Sequence, residues 1–328
     1  MDRESIYLSS GGKEDAESCA YLMLKDAVTS GKVRFYKFSE AFDNDEIYLK
    51  YNESLSRNDE SHSSYDGYFI PKLDSTKRYI IYLTENHPLI KNTGYFDRLK
   101  RDYDVVSILL FRNMFRNVLY PGAQGRHLND LKKEYDLIVT DEYEDAIKYE
   151  LYYAPDTFSN PFNENPKIKY DLIFIGDDKG RGRIIKQTAL NAKRNGIHVN
   201  FKIPGTLNFN SSLVQYVPYM SYAQIIYENL ESNCIFEVLQ PGQTSMTLRT
   251  QEAVCLKKKL LTNNKNIIKE KFYDSRYIQV FERVEDIDWS FVIRREGVEY
   301  KNYNNEFSPI DFFNRMEREV EKKIAGRR

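Results

Sequence analysis

Residues 217–273 read VPYMSYAQIIYENLESNCIFEVLQPGQTSMTLRTQEAVCLKKKLLTNNKNIIKEKFY. The stretch predicts a helix at 222–232, a buried strand at 234–239 and a second helix at 247–258. A polar turn without bulky apolar residues joins this strand to the second helix. The first N–H groups of a helix have no intrahelical partners, so the start of this helix suits an anion such as a diphosphate. The stretch therefore predicts an α/β fold with an anion site after a strand.

Two charged residues follow on the second predicted helix. Arg249 could add a bidentate charge beside the same anion. Glu252, one turn further along, could accept hydrogen bonds from two vicinal ribose hydroxyls. Each also has an ordinary structural interpretation. Arg249 could form a surface ion pair, and Glu252 could be a carboxylate on a helix face. We expect neither side chain in the apolar core.

The alternation of strand and helix continues on both sides of this stretch. Further strands are predicted at 5–9, 33–38, 79–84, 104–110, 136–140, 171–176, 198–203, 260–262 and 277–281. Residues 156–169 contain two prolines and several asparagines without periodicity, which is typical of a linker. Two strand–helix series joined by one linker predict two doubly wound, Rossmann-like α/β domains that face a cleft.

An amphipathic helix is predicted at the end of the chain, within 306–328. Ser308 is a suitable N-cap, and Pro309 suits the first helical position. Apolar residues recur every three or four positions, at Phe313, Met316, Val320 and Ile324. We expect this stripe to pack onto the protein, with the basic end of the helix in solvent. Peripheral contact with the inner face of a membrane is the alternative.

Composition narrows the class of protein. Among the 328 residues, 48 Lys and Arg nearly balance 49 Asp and Glu, and this balance predicts no nucleic-acid partner. The three cysteines form no CxxC motif and there are only four histidines, so we expect no metal site. The start of the chain does not resemble a signal peptide, and no apolar run approaches the ~18 residues of a membrane span. These features predict a cytoplasmic protein. The alternative of membrane association is based on the terminal helix alone.

Most of residues 136–282 resembles the GT-B glycosyltransferases. The resemblance is to bacterial capsule and lipopolysaccharide biosynthesis transferases, including relatives of the spore-maturation CgeB proteins. Its motifs are 136–155, 170–176 with Lys179 and Arg181, Tyr222, Ser232, Gln240, Gln243, Thr247, Arg249, Glu252, Ala253, 259–262 with Asn264, and 272–273. The motifs stand in the order that this family has. The resemblance implies a GT-B fold with 1–155 on the acceptor side, 156–169 as the linker and 170–305 as the domain that binds a nucleotide sugar.

The resemblance also implies an activity. It implies transfer of a hexose from a nucleotide-diphosphate donor, with UDP as the expected nucleotide, to a glycan or lipid-linked glycan in surface polysaccharide synthesis. No metal or other cofactor is expected, so basic side chains and helix N–H groups would stabilise the leaving group. Many retaining GT-B enzymes have a glutamate where this chain has Thr244, which argues against a retaining mechanism of that type.

Site residues in the second half follow from the same resemblance. It implies that Glu252 holds the donor ribose, that 243–247 binds diphosphate and sugar, and that 217–222 binds the nucleobase. Arg249 and the basic residues of 177–183 would neutralise the leaving diphosphate. The implied donor-side residues are Gly176, Lys179, Arg181, Tyr219, Tyr222, Gln243, Thr244, Ser245, Thr247 and Glu252.

Candidates in the first half come from position alone. His87 and Asp141 each lie just beyond the carboxyl end of a predicted strand, where α/β enzymes place reacting groups. Either could be the general base, and His87 could instead be a turn histidine before a proline. Glu85 and His127 are acceptor-side candidates, with His127 expected in a flexible loop. The pair Gly11 and Gly12 permits close backbone approach to a ligand.

Two other functions compete with glycosyl transfer. One is a non-catalytic module that binds nucleotide or sugar within a polysaccharide assembly complex. The other is a different doubly wound enzyme such as an epimerase, which the lack of a GxGxxG motif after the first strand argues against.

Overall fold

The computed structural model describes residues 2–10, 14–37, 70–115, 121–205 and 213–326. The chain forms two compact units. The N-terminal unit comprises Met1–Ala154 together with Pro309–Arg328, and the C-terminal unit comprises Pro155–Ser308. The segment predicted as a linker therefore belongs to the C-terminal unit. The candidates Gly11 and Gly12 lie outside the described residues.

The N-terminal unit alternates strands and helices. Its strands are β1 (Arg3–Leu8), β2 (Arg34–Tyr36), β3 (Arg78–Thr84), β4 (Asp104–Phe111), β5 (Gly122–Ala123), β6 (Arg126–His127), β7 (Leu137–Thr140) and β8 (Tyr152–Tyr153). Among the described residues before 155, its helices are α1 (Glu14–Thr29), α2 (Tyr95–Asp102), α3 (Leu128–Glu134) and α4 (Tyr143–Tyr149). Six strands form a parallel sheet in the order β2-β1-β3-β4-β7-β8, and β5 pairs with β6 as an antiparallel hairpin. The near-continuous apolar run of β4 is buried, as in parallel sheets covered on both faces.

The C-terminal unit is a doubly wound sheet. Its strands are β9 (Tyr170–Ile175), β10 (Val199–Pro204), β11 (Gln215–Val217), β12 (Ser232–Glu237), β13 (Lys259–Thr262) and β14 (Ile278–Val280). Its helices are α5 (Gly182–Arg194), α6 (Tyr222–Leu230), α7 (Leu248–Cys255) and α8 (Trp289–Ile293). All pairings are parallel, in the order β11-β10-β9-β12-β13-β14. This is the Rossmann order, which reverses between β9 and β12, so ligands are expected at the carboxyl ends of these two strands.

Two helices of this unit end earlier than predicted. Helix α6 stops at Leu230, and Ser232 opens β12 instead, with its hydroxyl bonded to the Asn229 carbonyl at 2.8 Å. Helix α7 stops at Cys255 because Lys257 takes a left-handed φ of 53°. The Lys258 N–H then reaches back to the Ala253 carbonyl, as in a Schellman motif.

The terminal helix, α9 (Pro309–Gly326), belongs to the N-terminal unit. Its side chains Phe313, Met316 and Val320 are buried and pack in one cluster with the sheet and with α1. The predicted apolar stripe is thereby confirmed at these three positions. Within the part of the chain that is described, no helix is long and apolar enough to cross a membrane.

Candidate functional site

Glu237 organises the point where the strand order of the C-terminal unit reverses. It ends β12 and is fully buried. One carboxylate oxygen accepts from the Thr247 N–H at 3.1 Å, its hydroxyl at 2.7 Å and the Thr250 hydroxyl at 2.8 Å. The other accepts from the Thr262 hydroxyl at 2.5 Å. This carboxylate therefore fixes the start of α7 against the ends of β12 and β13, a role that was not predicted from the sequence.

Arg249 reaches from the first turn of α7 across the carboxyl end of β9. Its guanidinium donates to the Ile175 carbonyl and lies 4.7 Å from the centre of the Phe174 ring. A Cβ on Gly176 would lie 1.7 Å from a guanidinium nitrogen, so only glycine leaves room for this position. The Nε of Arg249 is buried and has no hydrogen-bond partner among the described residues. A fixed positive charge thus covers the switch point between β9 and β12.

Arg181 is placed differently from what the resemblance implies. It is buried, and its guanidinium donates to the backbone carbonyls of Asp177, Asp178 and Val238. Burial and the nearby Arg249 lower its pKa to about 10. These contacts favour a structural role for Arg181, which holds the loop after β9 against the end of β12, and its role in neutralising a diphosphate stays a prediction.

Glu252 is buried rather than exposed on a helix face, contrary to the expectation that it lies outside the core. One of its oxygens accepts from the Tyr222 hydroxyl at 3.1 Å and the other from the Asn229 amide at 2.9 Å. Burial raises its pKa to about 7, against the opposing effects of Arg249 and of these two donors. Each oxygen keeps a second lone pair, which is what a pair of vicinal hydroxyls would need.

The turn before α7 uses several of its own polar groups. The Gln243 side chain accepts from the Gln240 N–H at 3.3 Å, and the Thr244 carbonyl accepts from the Asn266 amide at 3.2 Å. Ser245 is buried. Thr247 is the N-cap, and its hydroxyl accepts from the Arg249 N–H at 3.2 Å. This start of the helix therefore offers fewer open N–H groups than the sequence predicts.

The remaining donor-side candidates lie at the same edge of the sheet. Lys179 is half exposed, has a left-handed φ of 42° and stands 4.0 Å from the Asp177 carboxylate. Tyr219 is 64% exposed, and its ring lies against Gly205, where a Cβ would come within 2.6 Å of the ring. The Tyr219 ring thus has an exposed face at the carboxyl end of β10.

The candidates Glu85 and His87 are both buried in the N-terminal unit. The Glu85 carboxylate accepts from the Arg112 N–H at 3.1 Å and the Asn113 amide at 2.5 Å. His87 accepts from the Leu89 N–H at 3.2 Å through Nδ1, as the N-cap of the 3-10 turn Pro88–Lys91. Burial lowers the His87 pKa to about 3. These contacts favour the interpretation of His87 as a turn histidine.

Asp141 and His127 are more accessible. Asp141 follows β7 directly and is partly exposed. His127 lies in the β5–β6 hairpin at the start of α3, rather than in the flexible loop that was expected. Among the described residues, no group of three or more His, Cys, Asp or Glu side chains could hold a metal ion.

The chain is similar to known proteins in its structure and not in its sequence. No protein family model matches the sequence. No curated protein matches it either. Solved structures do match: an alpha-glucosyltransferase in complex with UDP has a TM-score of 0.55 at 10% identity, over 98% of this chain and 100% of its own. The same enzyme with UDP and a 13-mer DNA containing a HMU base has a TM-score of 0.51 at 10% identity, over 97% and 98%.

A third match corrects one prediction. Alpha-glucosyltransferase in complex with UDP-glucose and DNA containing an abasic site has a TM-score of 0.51 at 11% identity, over 88% of both chains. Proteins of this fold therefore bind DNA, which contradicts the exclusion of a nucleic-acid partner. That exclusion rested on net charge, which averages over local patches of either sign. At this level of identity the likeness concerns the fold, and the chain has the GT-B fold: two doubly wound α/β units and a C-terminal helix.

Proposed function

We propose that the protein is a glycosyltransferase that takes a hexose from a UDP-linked donor. The observation that carries the proposal is the charge at the switch point of the C-terminal unit, where Arg249 lies over Gly176 at the carboxyl end of β9. A diphosphate at this point would meet the guanidinium and Lys179. The presence of UDP in alpha-glucosyltransferases of the same fold supports this choice of nucleotide.

Each donor-side residue then has a proposed part. Tyr219 presents its exposed ring to the nucleobase, and Glu252 accepts the two ribose hydroxyls through its remaining lone pairs. Arg249 leaves the Ile175 carbonyl for the diphosphate, whose oxygens also satisfy its unpaired Nε. Its charge stabilises the leaving group, so no metal ion is required in this proposal.

Transfer forms one bond and breaks another. An acceptor hydroxyl oxygen attacks the anomeric carbon, the bond from that carbon to the β-phosphate oxygen breaks, and UDP leaves. We assign Asp141 as the general base that takes the proton of the acceptor hydroxyl. Asp141 is partly exposed after β7, whereas His87 is buried and its pKa is lowered. The proposed acceptor is a glycan or lipid-linked glycan of a surface polysaccharide.

The proposal is tested with a panel of nucleotide sugars. The melting temperature is measured with UDP-glucose, UDP-galactose, UDP-N-acetylglucosamine and GDP-mannose. We expect the UDP-linked sugars, and not GDP-mannose, to raise it. Release of UDP should then accelerate with an oligosaccharide acceptor and persist in EDTA. Stabilisation without release under any acceptor, DNA included, would favour the non-catalytic binding module. A lack of stabilisation by every nucleotide sugar would end the proposal.

A further inference from the structure

Helix α5 of the C-terminal unit carries positive charge along one face. Its sequence, GRIIKQTALNAKR, contains no Asp or Glu. Exposed residues recur on it at a spacing of three or four positions, which places them on one side of the helix. These residues are Arg183, Lys186, Leu190, Lys193 and Arg194. We name them the basic stripe.

The opposite face of α5 holds the helix on the sheet. Ile185, Ala189 and Ala192 are fully buried and belong to one hydrophobic cluster with Phe201 of β10. This apolar face is sufficient to seat the helix in the fold. Packing of α5 therefore does not account for the charges on its exposed side.

The chain does not neutralise the cations of the basic stripe itself. On α9, by contrast, the exposed Lys322 pairs with Glu319 of the same helix at 2.6 Å. Within the part of the chain that the structure describes, no carboxylate forms an ion pair with Arg183, Lys186, Lys193 or Arg194. In the loop before α5, the Asp178 carboxylate accepts from a backbone N–H of the helix at 2.7 Å, and Asp177 lies 4.0 Å from Lys179.

Acidic residues of the neighbouring 3-10 turn Val284–Asp286 are also engaged elsewhere. Glu285 accepts from the Gln187 amide at 2.6 Å, on the flank of α5 beside the basic stripe. Two further carboxylates of this region form ion pairs, Glu282 with Lys265 and Asp286 with Arg283. The basic stripe therefore presents uncompensated positive charge to solvent.

A line of cations on an exposed helix suits a linear polyanion. Residues 183–194 extend over about 16 Å of helix axis, at about 1.5 Å per residue. A DNA duplex carries one phosphate charge per about 1.7 Å of its axis, so its backbone can meet all the cations of the stripe within that length. A helix that lies on a membrane buries its apolar face in lipid. In α5 this face is already covered by protein, which favours a nucleic acid over a membrane.

We propose that the basic stripe binds the phosphate backbone of a nucleic acid. Contacts to phosphates alone do not distinguish bases, so we expect this binding to be independent of base sequence. The proposal concerns the surface of α5 and does not depend on the proposed glycosyl transfer. Arg183 also lies within 177–183, which was predicted to meet the donor diphosphate, so the test uses the other cations of the stripe.

The test measures the affinity for a fluorescent DNA duplex by anisotropy, with the NaCl concentration varied between about 50 and 200 mM. Each phosphate contact contributes about 0.9 to the slope of the logarithm of the association constant against that of the salt concentration, so four contacts predict a slope of about −3.6. In Lys193→Gln/Arg194→Gln the affinity should fall and the slope should shrink by about 1.8. Lys186→Gln alone should reduce the slope by about 0.9.

Lys271→Gln/Lys301→Gln is the matched control. Both lysines are exposed in turns of the same unit, and the double substitution changes the net charge equally. Their sequence neighbours Phe272 and Tyr300 pack in a different hydrophobic cluster from α5. This variant should keep the wild-type slope. UDP is titrated into the same proteins, and Lys193→Gln/Arg194→Gln should not change its affinity. The DNA measurement needs no nucleotide sugar, so its result stands whether or not the protein binds UDP.

A wild type that does not bind the duplex would overturn the proposal. An equal slope in the wild type and in Lys193→Gln/Arg194→Gln would do the same. If the control variant loses as much slope as the stripe variant, net charge rather than α5 governs binding and the proposal is wrong. Sedimentation with vesicles that contain an anionic phospholipid tests the other partner. Vesicle binding that requires the stripe, in a protein that does not bind DNA, would make the stripe a membrane contact instead.

Discussion

Arg249 and Gly176 act as one feature of the C-terminal unit. The guanidinium occupies the volume that any other side chain at position 176 would fill, and it contacts the Ile175 carbonyl and the Phe174 ring there. The position of the charge thus depends on a residue that carries no charge. A substitution at this glycine should act on the site through Arg249.

We predict that Gly176→Ala lowers UDP affinity, but by less than Arg249→Ala does. The new Cβ would stand 1.7 Å from a guanidinium nitrogen, so the guanidinium must shift from the Ile175 carbonyl, whereas Arg249→Ala removes the charge itself. Calorimetric titration with UDP measures both variants. Gly297→Ala is the matched control, because a Cβ there has no neighbour within 4 Å. Wild-type affinity in Gly176→Ala would show that the observed position of Arg249 does not matter for binding.

Glu252 gives a prediction about pH. Its pKa is about 7 in the folded chain and 4.5 in the reference state, so the native state holds the proton more tightly between these values. Glu252 therefore makes its full contribution to the free energy of unfolding below pH 4.5. As the pH rises from 4.5 through 7, the free energy of unfolding falls by about 3 kcal/mol. Glu252→Gln, which does not titrate, should remove this decline. Urea unfolding at pH 5 and pH 8 measures the difference.

Donor binding should have the opposite pH dependence. Ionised Glu252 makes stronger hydrogen bonds to ribose hydroxyls than the protonated form, so UDP-glucose affinity should rise between pH 6 and pH 8. Glu252→Gln should bind weakly at both values. In Arg249→Ala the midpoint should move to higher pH, because the Arg249 charge lowers the pKa of Glu252. A flat profile in the wild type would remove Glu252 from the ribose site.

At the scale of elements, helix α9 completes the hydrophobic core of the N-terminal unit. Phe313 is fully buried and meets the Tyr82 ring edge to face at 4.8 Å. Polar contacts fix the same helix, since Glu317 accepts from the Ser5 hydroxyl at 3.1 Å and pairs with Lys32 at 2.8 Å. The chain therefore returns to its first unit after completing the second.

Phe313→Ala should destabilise the N-terminal unit by about 3–5 kcal/mol, since a buried ring is lost and a cavity remains. Thermal unfolding followed by circular dichroism measures the change. Lys322→Ala on the exposed side of α9 should shift the melting temperature by less than a degree or two, because a surface ion pair contributes roughly 0–1 kcal/mol. Equal melting temperatures for the two variants would contradict the docking of α9.

At the scale of the whole molecule, local patterns predicted the architecture well. The short apolar runs became parallel strands because a strand buried on both faces needs near-continuous apolar sequence, as in β3 and β4. Strand β8 and the β5–β6 hairpin have only two residues per strand, too few for a periodic pattern. The apolar stripe of α9 could be predicted because helical spacing is a property of the local sequence.

The site was less predictable, because its geometry depends on contacts between distant segments. Arg181 and Arg249 are similar in sequence terms, yet one donates to three backbone carbonyls and the other crosses a strand end. The burial of Glu252 depends on Asn229 and Tyr222, which lie on another helix. Glu237 gave one signal that could have been used, a carboxylate inside the predicted buried strand at 234–239.

We propose that the switch point of the C-terminal unit binds the diphosphate of a UDP-sugar through Arg249. Titration of UDP into the wild type and Arg249→Ala tests it most directly, because UDP carries the diphosphate without depending on which sugar is transferred. We expect the wild type to bind UDP and Arg249→Ala to bind it at least about tenfold more weakly, because a hydrogen bond to a charged group is lost. A wild type that does not bind UDP, or an Arg249→Ala variant that binds it equally well, would contradict the claim.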